Sequence, residues 1–316
     1  MSQVKHIHYL SADKITQIHA VIWLPAKTPR GIVQIVHGMQ EYVMRYEEFA
    51  MFLADQGYIV VANDHLGHGE SVRSKDYLGY FAEGQPNKAV LSDIRQLHQM
   101  MVQDYPRLPY FLLGHSMGSF LARQYICMYG KELAGAVISG TGWHSRMETA
   151  FGMLLCKTMA GVKGWTYRSK LVLHIAMGNY NQKFQPVRTP FDWLTRDTDI
   201  VDAYSKDPLT QYVFTLNGFY QLFSSLHYLT FRKNLEKVPR DLPVLFISGQ
   251  MDPVGNYGYG VKKAAVSLHA TGVRDVICRL YPYDRHEVLN ELNRSEVYSD
   301  VADWLEEKQK RLTEEG

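Results

Sequence analysis

Residues 109–130 read PYFLLGHSMGSFLARQYICMYG. The apolar run 110–113 predicts a short buried strand. It breaks at Gly114-His115-Ser116-Met117-Gly118, a G-x-S-x-G pattern, and residues 119–129 continue with helical periodicity. Strand, tight turn and helix in direct succession are the setting in which this pattern marks a nucleophile elbow. Such a turn lifts Ser116 clear of the sheet, and its small neighbours leave room for a substrate carbonyl. Amides at the start of the following helix face the same point and can stabilise a developing oxyanion.

The surrounding sequence has the matching rhythm. Strand-like runs at 31–36 (GIVQIV), 58–62 (YIVVA) and 134–139 (AGAVIS) alternate with helical patterns at 46–56 and 88–104. That alternation predicts an α/β fold with a doubly wound, mostly parallel sheet. Residues 6–10 and 17–24 read as antiparallel edge strands. The rhythm stops near Trp143 and resumes at the strand 243–248 (PVLFIS), followed by a helix at 258–269, a strand at 275–280 and a helix at 287–308. The chain thus divides into a core of residues 1–142 and 235–316 and a helical cap, or lid, of residues 143–234.

Composition narrows the class. The chain has 316 residues, 46% of them hydrophobic, enough to fill a core. A net charge of +2, from 34 basic and 32 acidic residues, argues against a nucleic-acid partner. The three cysteines are scattered, so neither a disulfide framework nor a zinc site is expected, and Cys127 and Cys278 read as buried thiols. Without an apolar leader or a membrane-length run, the chain reads as cytoplasmic, with peripheral membrane contact through the cap left open.

A serine nucleophile needs a base, and the base an orienting carboxylate. In a sheet of this kind both follow later strands, in the order Ser, Asp or Glu, His. Asp252 follows the strand 243–248 through a short turn. His286 follows the strand 275–280, and it is the one histidine of 13 beyond the last strand. Asp284 is the nearest rival carboxylate, but it shares the histidine's loop. His37-Gly38-Met39-Gln40 follows the strand 31–36, where a second oxyanion donor is commonly supplied, so the backbone N–H groups of Met39 and Met117 are the expected pair. His65 and His68 with Asp64 invite a metal reading, but the surrounding glycines predict a hydrogen-bonded turn instead. No metal or other cofactor is expected. In the cap, methionines and aromatics are dense; Met147, Phe151 and Phe219 are the expected wall of an apolar acyl tunnel.

With these residues in view, the chain resembles the α/β-hydrolase-fold serine hydrolases, most closely the monoglyceride lipase and lysophospholipase group. The resemblance rests on His37-Gly38-Met39-Gln40-Glu41 with Arg45-Tyr46, Asp64-His65-Leu66-Gly67-His68-Gly69-Glu70-Ser71, and the elbow. It continues with Asp207-Pro208-Leu209 after Trp193, Gly249-Gln250-Met251-Asp252-Pro253-Val254, and His286-Glu287-Val288-Leu289-Asn290-Glu291. It implies Ser116, Asp252 and His286 as a catalytic triad, Met39 and Met117 as oxyanion donors, and a cap over an acyl pocket. Two positions depart from the group's pattern. Gln40 and Ser119 stand where it usually has glycine.

The expected activity is cofactor-independent hydrolysis of a small-molecule, single-chain acyl ester such as a monoacylglycerol or lysophospholipid. A small-ester carboxylesterase and an amide or peptide hydrolase are alternatives on the same scaffold. A non-catalytic ligand receptor with a vestigial triad is the alternative of another class.

Overall fold

The computed structural model describes residues 3–314, with side chains to 311. Two antiparallel strands, β1 (Gln3–Leu10) and β2 (Gln17–Leu24), begin the chain. Then come β3 (Gly31–Val36), α1 (Glu47–Asp55), β4 (Tyr58–Asn63), α2 (Pro86–Asp104), β5 (Tyr110–His115), α3 (Met117–Tyr129) and β6 (Gly135–Ser139). Five helices separate β6 from the next strand: α4 (Arg146–Lys163), α5 (Lys170–Met177), α6 (Thr198–Lys206), α7 (Leu216–Leu229) and the short α8 (Arg232–Leu235). The chain closes with β7 (Val244–Gly249), α9 (Tyr259–His269), β8 (Val276–Tyr281) and α10 (Arg294–Glu314). The eight strands form one sheet in the order β1-β2-β4-β3-β5-β6-β7-β8, parallel from β4 to β8.

Alternation along the strands feeds a core on each face. On β5, Tyr110 and Leu112 join α2, α3 and α7 on one side, while Phe111 and Leu113 join α1 and α10 on the other. Both faces are covered, which is why these strands read as unbroken apolar runs. Helix α3 lies hard against the sheet: a Cβ at Gly118 would sit 1.9 Å from the Val36 carbonyl oxygen, and one at Gly114 would sit 2.4 Å from that of Gly118. The elbow glycines are therefore set by helix–strand contact.

Two readings of the sequence are corrected here. Cys278 is exposed, because β8 is an edge strand whose residues 277–279 face solvent, so an apolar sequence pattern did not mean burial there. The last helix begins at Arg294 rather than at 287, since residues 286–291 serve as a loop carrying His286 and Glu287, with only a 3₁₀ turn at Val288–Asn290. Among the described residues, no helix is long and apolar enough to cross a membrane.

Candidate active site

Ser116 stands between β5 and α3 with φ 55° and ψ −121°, a left-handed conformation that a side chain resists. The turn is held from both sides. The Ser116 N–H donates to the Ser139 carbonyl at 3.0 Å, and the Ser119 hydroxyl donates to the Ser116 carbonyl at 2.6 Å. Ser119, one of the departures from glycine, thus ties down the elbow. Met117 opens α3, so its N–H belongs to the set with no partner inside the helix.

Strands β7 and β8 supply the other two groups. Asp252 is fully buried; its carboxylate accepts from the Ser248 hydroxyl at 3.1 Å and from the Val254 N–H at 2.8 Å. His286 Nδ1 lies 3.0 Å from the Asp252 carboxylate. Burial works against the imidazolium, but Asp252, with help from Glu287 and Glu41, raises the His286 pKa above its ordinary 6.5. Asp284 does not compete: it is engaged by Arg196 at 2.6 Å, and burial raises it to about 6. The His286 ring is packed between His115 and Trp193, at centroid distances of 4.8 and 5.1 Å. Burial holds His115 down at about 3, so it is a neutral neighbour.

Ser116, His286, Met39 and Met117 all line one small cavity of about 60 Å³. The Ser116 hydroxyl and His286 make no hydrogen bond to each other in this arrangement. A larger cavity of about 690 Å³ adjoins it, walled by Leu173, Met177, Phe191, Trp193 and Val213 with Tyr180 and Asn181. Met147, Phe151 and Phe219 line neither. Phe219 is fully buried against Phe214, while Met147 and Phe151 are 83% and 57% exposed. Helix α4 turns its small residues inward, where Gly152 meets the Phe223 ring and Cys156 and Ala160 are buried. Met147, Phe151 and Leu154 consequently face outward, while Leu155 and Met159 pack on the core without lining either cavity. Met147, Phe151 and Phe219 do not form the expected wall; the larger cavity is lined instead from Gln40, α5 and residues 178–213.

Sequence reasoning missed the charged cluster beneath the site. Arg45 forks onto Glu287 at 2.8 and 2.7 Å and reaches Glu41 at 2.9 Å, with both carboxylates buried and the guanidinium largely so. Glu41 also accepts from the Tyr46 hydroxyl at 2.8 Å and from the Gly38 N–H. Burial pushes Glu41 up to about 7, whereas Arg45 overcomes burial at Glu287 and holds it at about 2. Arg45, Glu41 and Glu287 all stand in the motifs quoted above, but nothing in the spacing of residues 41, 45 and 287 says that they meet.

The turn at 63–71 is a structural hub. Asp64 accepts from the N–H groups of Val43 at 2.8 Å and Glu70 at 3.0 Å and pairs with His19 at 2.8 Å. Burial lowers His65 to about 3 and His68 to about 4. Among the described residues, no three His, Cys, Asp or Glu side chains group so as to hold a metal ion.

Over residues 27–293 the chain matches the family described as Serine aminopeptidase, S33 (Hydrolase_4). The chain belongs to that family. This S33-family protein is a hydrolase with the α/β-hydrolase fold. It is 26% identical over 289 residues to the monoacylglycerol lipase of Mycolicibacterium smegmatis, spanning 90% of this chain and 91% of that protein. It is 30% identical over 204 residues to the human monoglyceride lipase, spanning 64% of this chain and 59% of the relative. Among solved structures it resembles a highly thermostable carboxyl esterase from Bacillus coagulans in complex with glycerol. That likeness has a TM-score of 0.91 and 29% identity and covers 98% of this chain and all of the other.

Proposed function

We propose that this S33-family hydrolase is a serine carboxylic-ester hydrolase of single-chain acyl esters, of the monoacylglycerol or lysophospholipid type. The observation that carries this reading is the strained Ser116 at the head of α3, sharing a cavity with a histidine bound to a buried aspartate. In the reaction His286 Nε2 takes the Ser116 proton as Oγ bonds to the acyl carbon. The carbonyl oxygen, now negative, is held by the Met39 and Met117 N–H groups. Collapse of the adduct breaks the bond to the alcohol oxygen, which leaves with the proton from His286. Water, deprotonated by His286, then repeats the sequence and frees the acid. Asp252 keeps Nδ1 protonated and so leaves Nε2 as the base. The Ser116–His286 hydrogen bond closes as substrate enters.

Residues 143–234 act as the cap in this reading. The small cavity at Ser116 has room for only a few atoms, while the adjoining one can take an acyl chain among apolar walls. The family's description raises an aminopeptidase as a second reading. A substrate amine would want an unpaired carboxylate nearby, and both carboxylates at this cavity, Glu41 and Glu287, are bound to Arg45. The lipase and carboxyl-esterase relatives support the ester reading.

Two measurements test it. Each methylene buried in the larger cavity adds about 0.8 kcal/mol, so kcat/KM rises from acetyl to medium-chain p-nitrophenyl esters and monoacylglycerols. A profile that peaks at acetate and falls beyond butyrate would favour a small-ester enzyme, and faster turnover of aminoacyl amides than of esters a peptidase. The pH profile is the second. The base must be neutral, and its pKa is raised, so kcat/KM increases with pH with a midpoint above about 6.5. A rate that is flat from about pH 5 to 8 would remove His286 as the base.

A further inference from the structure

Gln40 has an unusual position. Its φ is 57°, in the left-handed region that favours glycine. It is 8% exposed and sits in the loop beside Met39. Gln40 is fastened at two points, one through its side chain and one through its backbone, to the helical segment between β6 and β7. The Gln40 side-chain amide donates to the Tyr212 carbonyl, and the Tyr204 hydroxyl donates to the Gln40 carbonyl at 3.0 Å.

Gln40 also stands where the two cavities meet. Four residues line both: Gln40, Met177, Tyr180 and Trp193. Three of them come from the segment between β6 and β7, and Gln40 alone comes from the loop that follows β3. The cavity at Ser116 is too small for an acyl chain, so a chain bound at Ser116 must pass this ring to reach the larger space. A glycine at residue 40 would leave the ring open on that side.

We propose that Gln40 is a specificity-determining residue that narrows the passage between the catalytic cavity and the acyl cavity, held across it by the hydrogen bond its side-chain amide donates to the Tyr212 carbonyl. This rests on the ester-hydrolase reading. The side chain restricts which acyl chains pass, and the bond to Tyr212 fixes its rotamer. An otherwise unfavourable backbone conformation is retained because this contact requires a side chain there.

The test compares the full-length protein with Gln40→Gly and Gln40→Asn on p-nitrophenyl butyrate and p-nitrophenyl laurate. Glycine relieves the backbone, and asparagine tolerates the left-handed conformation but is too short to span the passage. The kcat/KM ratio of laurate to butyrate is expected to rise about tenfold in Gln40→Gly, mainly through a lower KM for laurate, and by less in Gln40→Asn. An unchanged ratio in folded, active variants overturns the proposal. So does a fall in kcat that is equal for both esters, since that would make Gln40 only a support for the Met39 loop. Fluorophosphonate labelling of Ser116 in the unaltered protein is run alongside. If labelling fails, the ester reading itself is at fault; if labelling succeeds and the ratio does not move, only the role of Gln40 is.

Discussion

Ser116→Ala is expected to lower kcat on an acyl ester by about 10⁴-fold or more and to leave the thermal unfolding midpoint close to that of the parent. Alanine keeps the Cβ at φ 55°, so the strain of the elbow and its bonds to Ser139 and Ser119 persist; what is lost is one hydroxyl. His286→Ala should cost about as much, and the double variant little more than either single one, because nucleophile and base act as one unit. Asp252→Asn tests the orienting role. The asparagine amide would present a donor to Nδ1 and favour the tautomer with its proton on Nε2, which cannot act as base. A severe loss of kcat with an intact fold is expected. A Ser116→Ala protein that kept the parent's turnover, or a parent that resisted fluorophosphonate, would move the chain towards the receptor reading.

What could be read from the sequence follows what short-range pattern encodes. Strands buried on both faces are continuous apolar runs bounded by turns, so β3 to β7 and the order of Ser116, Asp252 and His286 were legible. Orientation on an amphipathic helix was not. Helix α4 has an apolar stripe through Met147 and Phe151, yet it packs on its small-residue side through Gly152, Cys156 and Ala160. Hydrophobicity alone ranks the wrong face. Edge position was also hidden: Cys278 lies in a run that looks like its neighbours, but among the described residues β8 pairs with β7 alone. Gln40 was visible as a departure from glycine, whereas its partners Tyr204 and Tyr212 are more than 160 residues away. The Arg45 cluster needed the fold as well, since residues 45 and 287 are 242 positions apart.

That cluster carries the largest expected effect on stability. Among the described residues Arg45 is the one cation bound to the two buried carboxylates of Glu41 and Glu287, and its guanidinium also lies 4.8 Å from the Tyr204 ring. Arg45→Met keeps much of the volume and removes the charge. Breaking a buried ion pair from one side costs about 3–5 kcal/mol, because the remaining charge has neither water nor partner. The pH dependence identifies the cause. In the parent, Arg45 holds Glu287 at about 2, below its unfolded value, so this pair contributes stability above the unfolded pKa that is lost as pH falls towards 2. In Arg45→Met, burial instead raises Glu287 and leaves Glu41 high. The folded state then binds protons that the unfolded state releases, and stability falls as pH rises through about 4.3, the ordinary glutamate value. The gap in unfolding midpoint between parent and variant should therefore be smallest as the pH falls towards about 2, where Glu287 is protonated in both, and widen towards neutrality, as calorimetry at several pH values can measure. A gap independent of pH would mean lost packing against Tyr204 rather than an orphaned charge. Adding Glu41→Gln and Glu287→Gln to Arg45→Met separates stability from function. Neutral side chains no longer need the guanidinium, so most of the midpoint should return. Activity should not return with it, because Glu41 and Glu287 adjoin the Met39 loop and His286, and the fork from Arg45 is what fixes those two segments to each other.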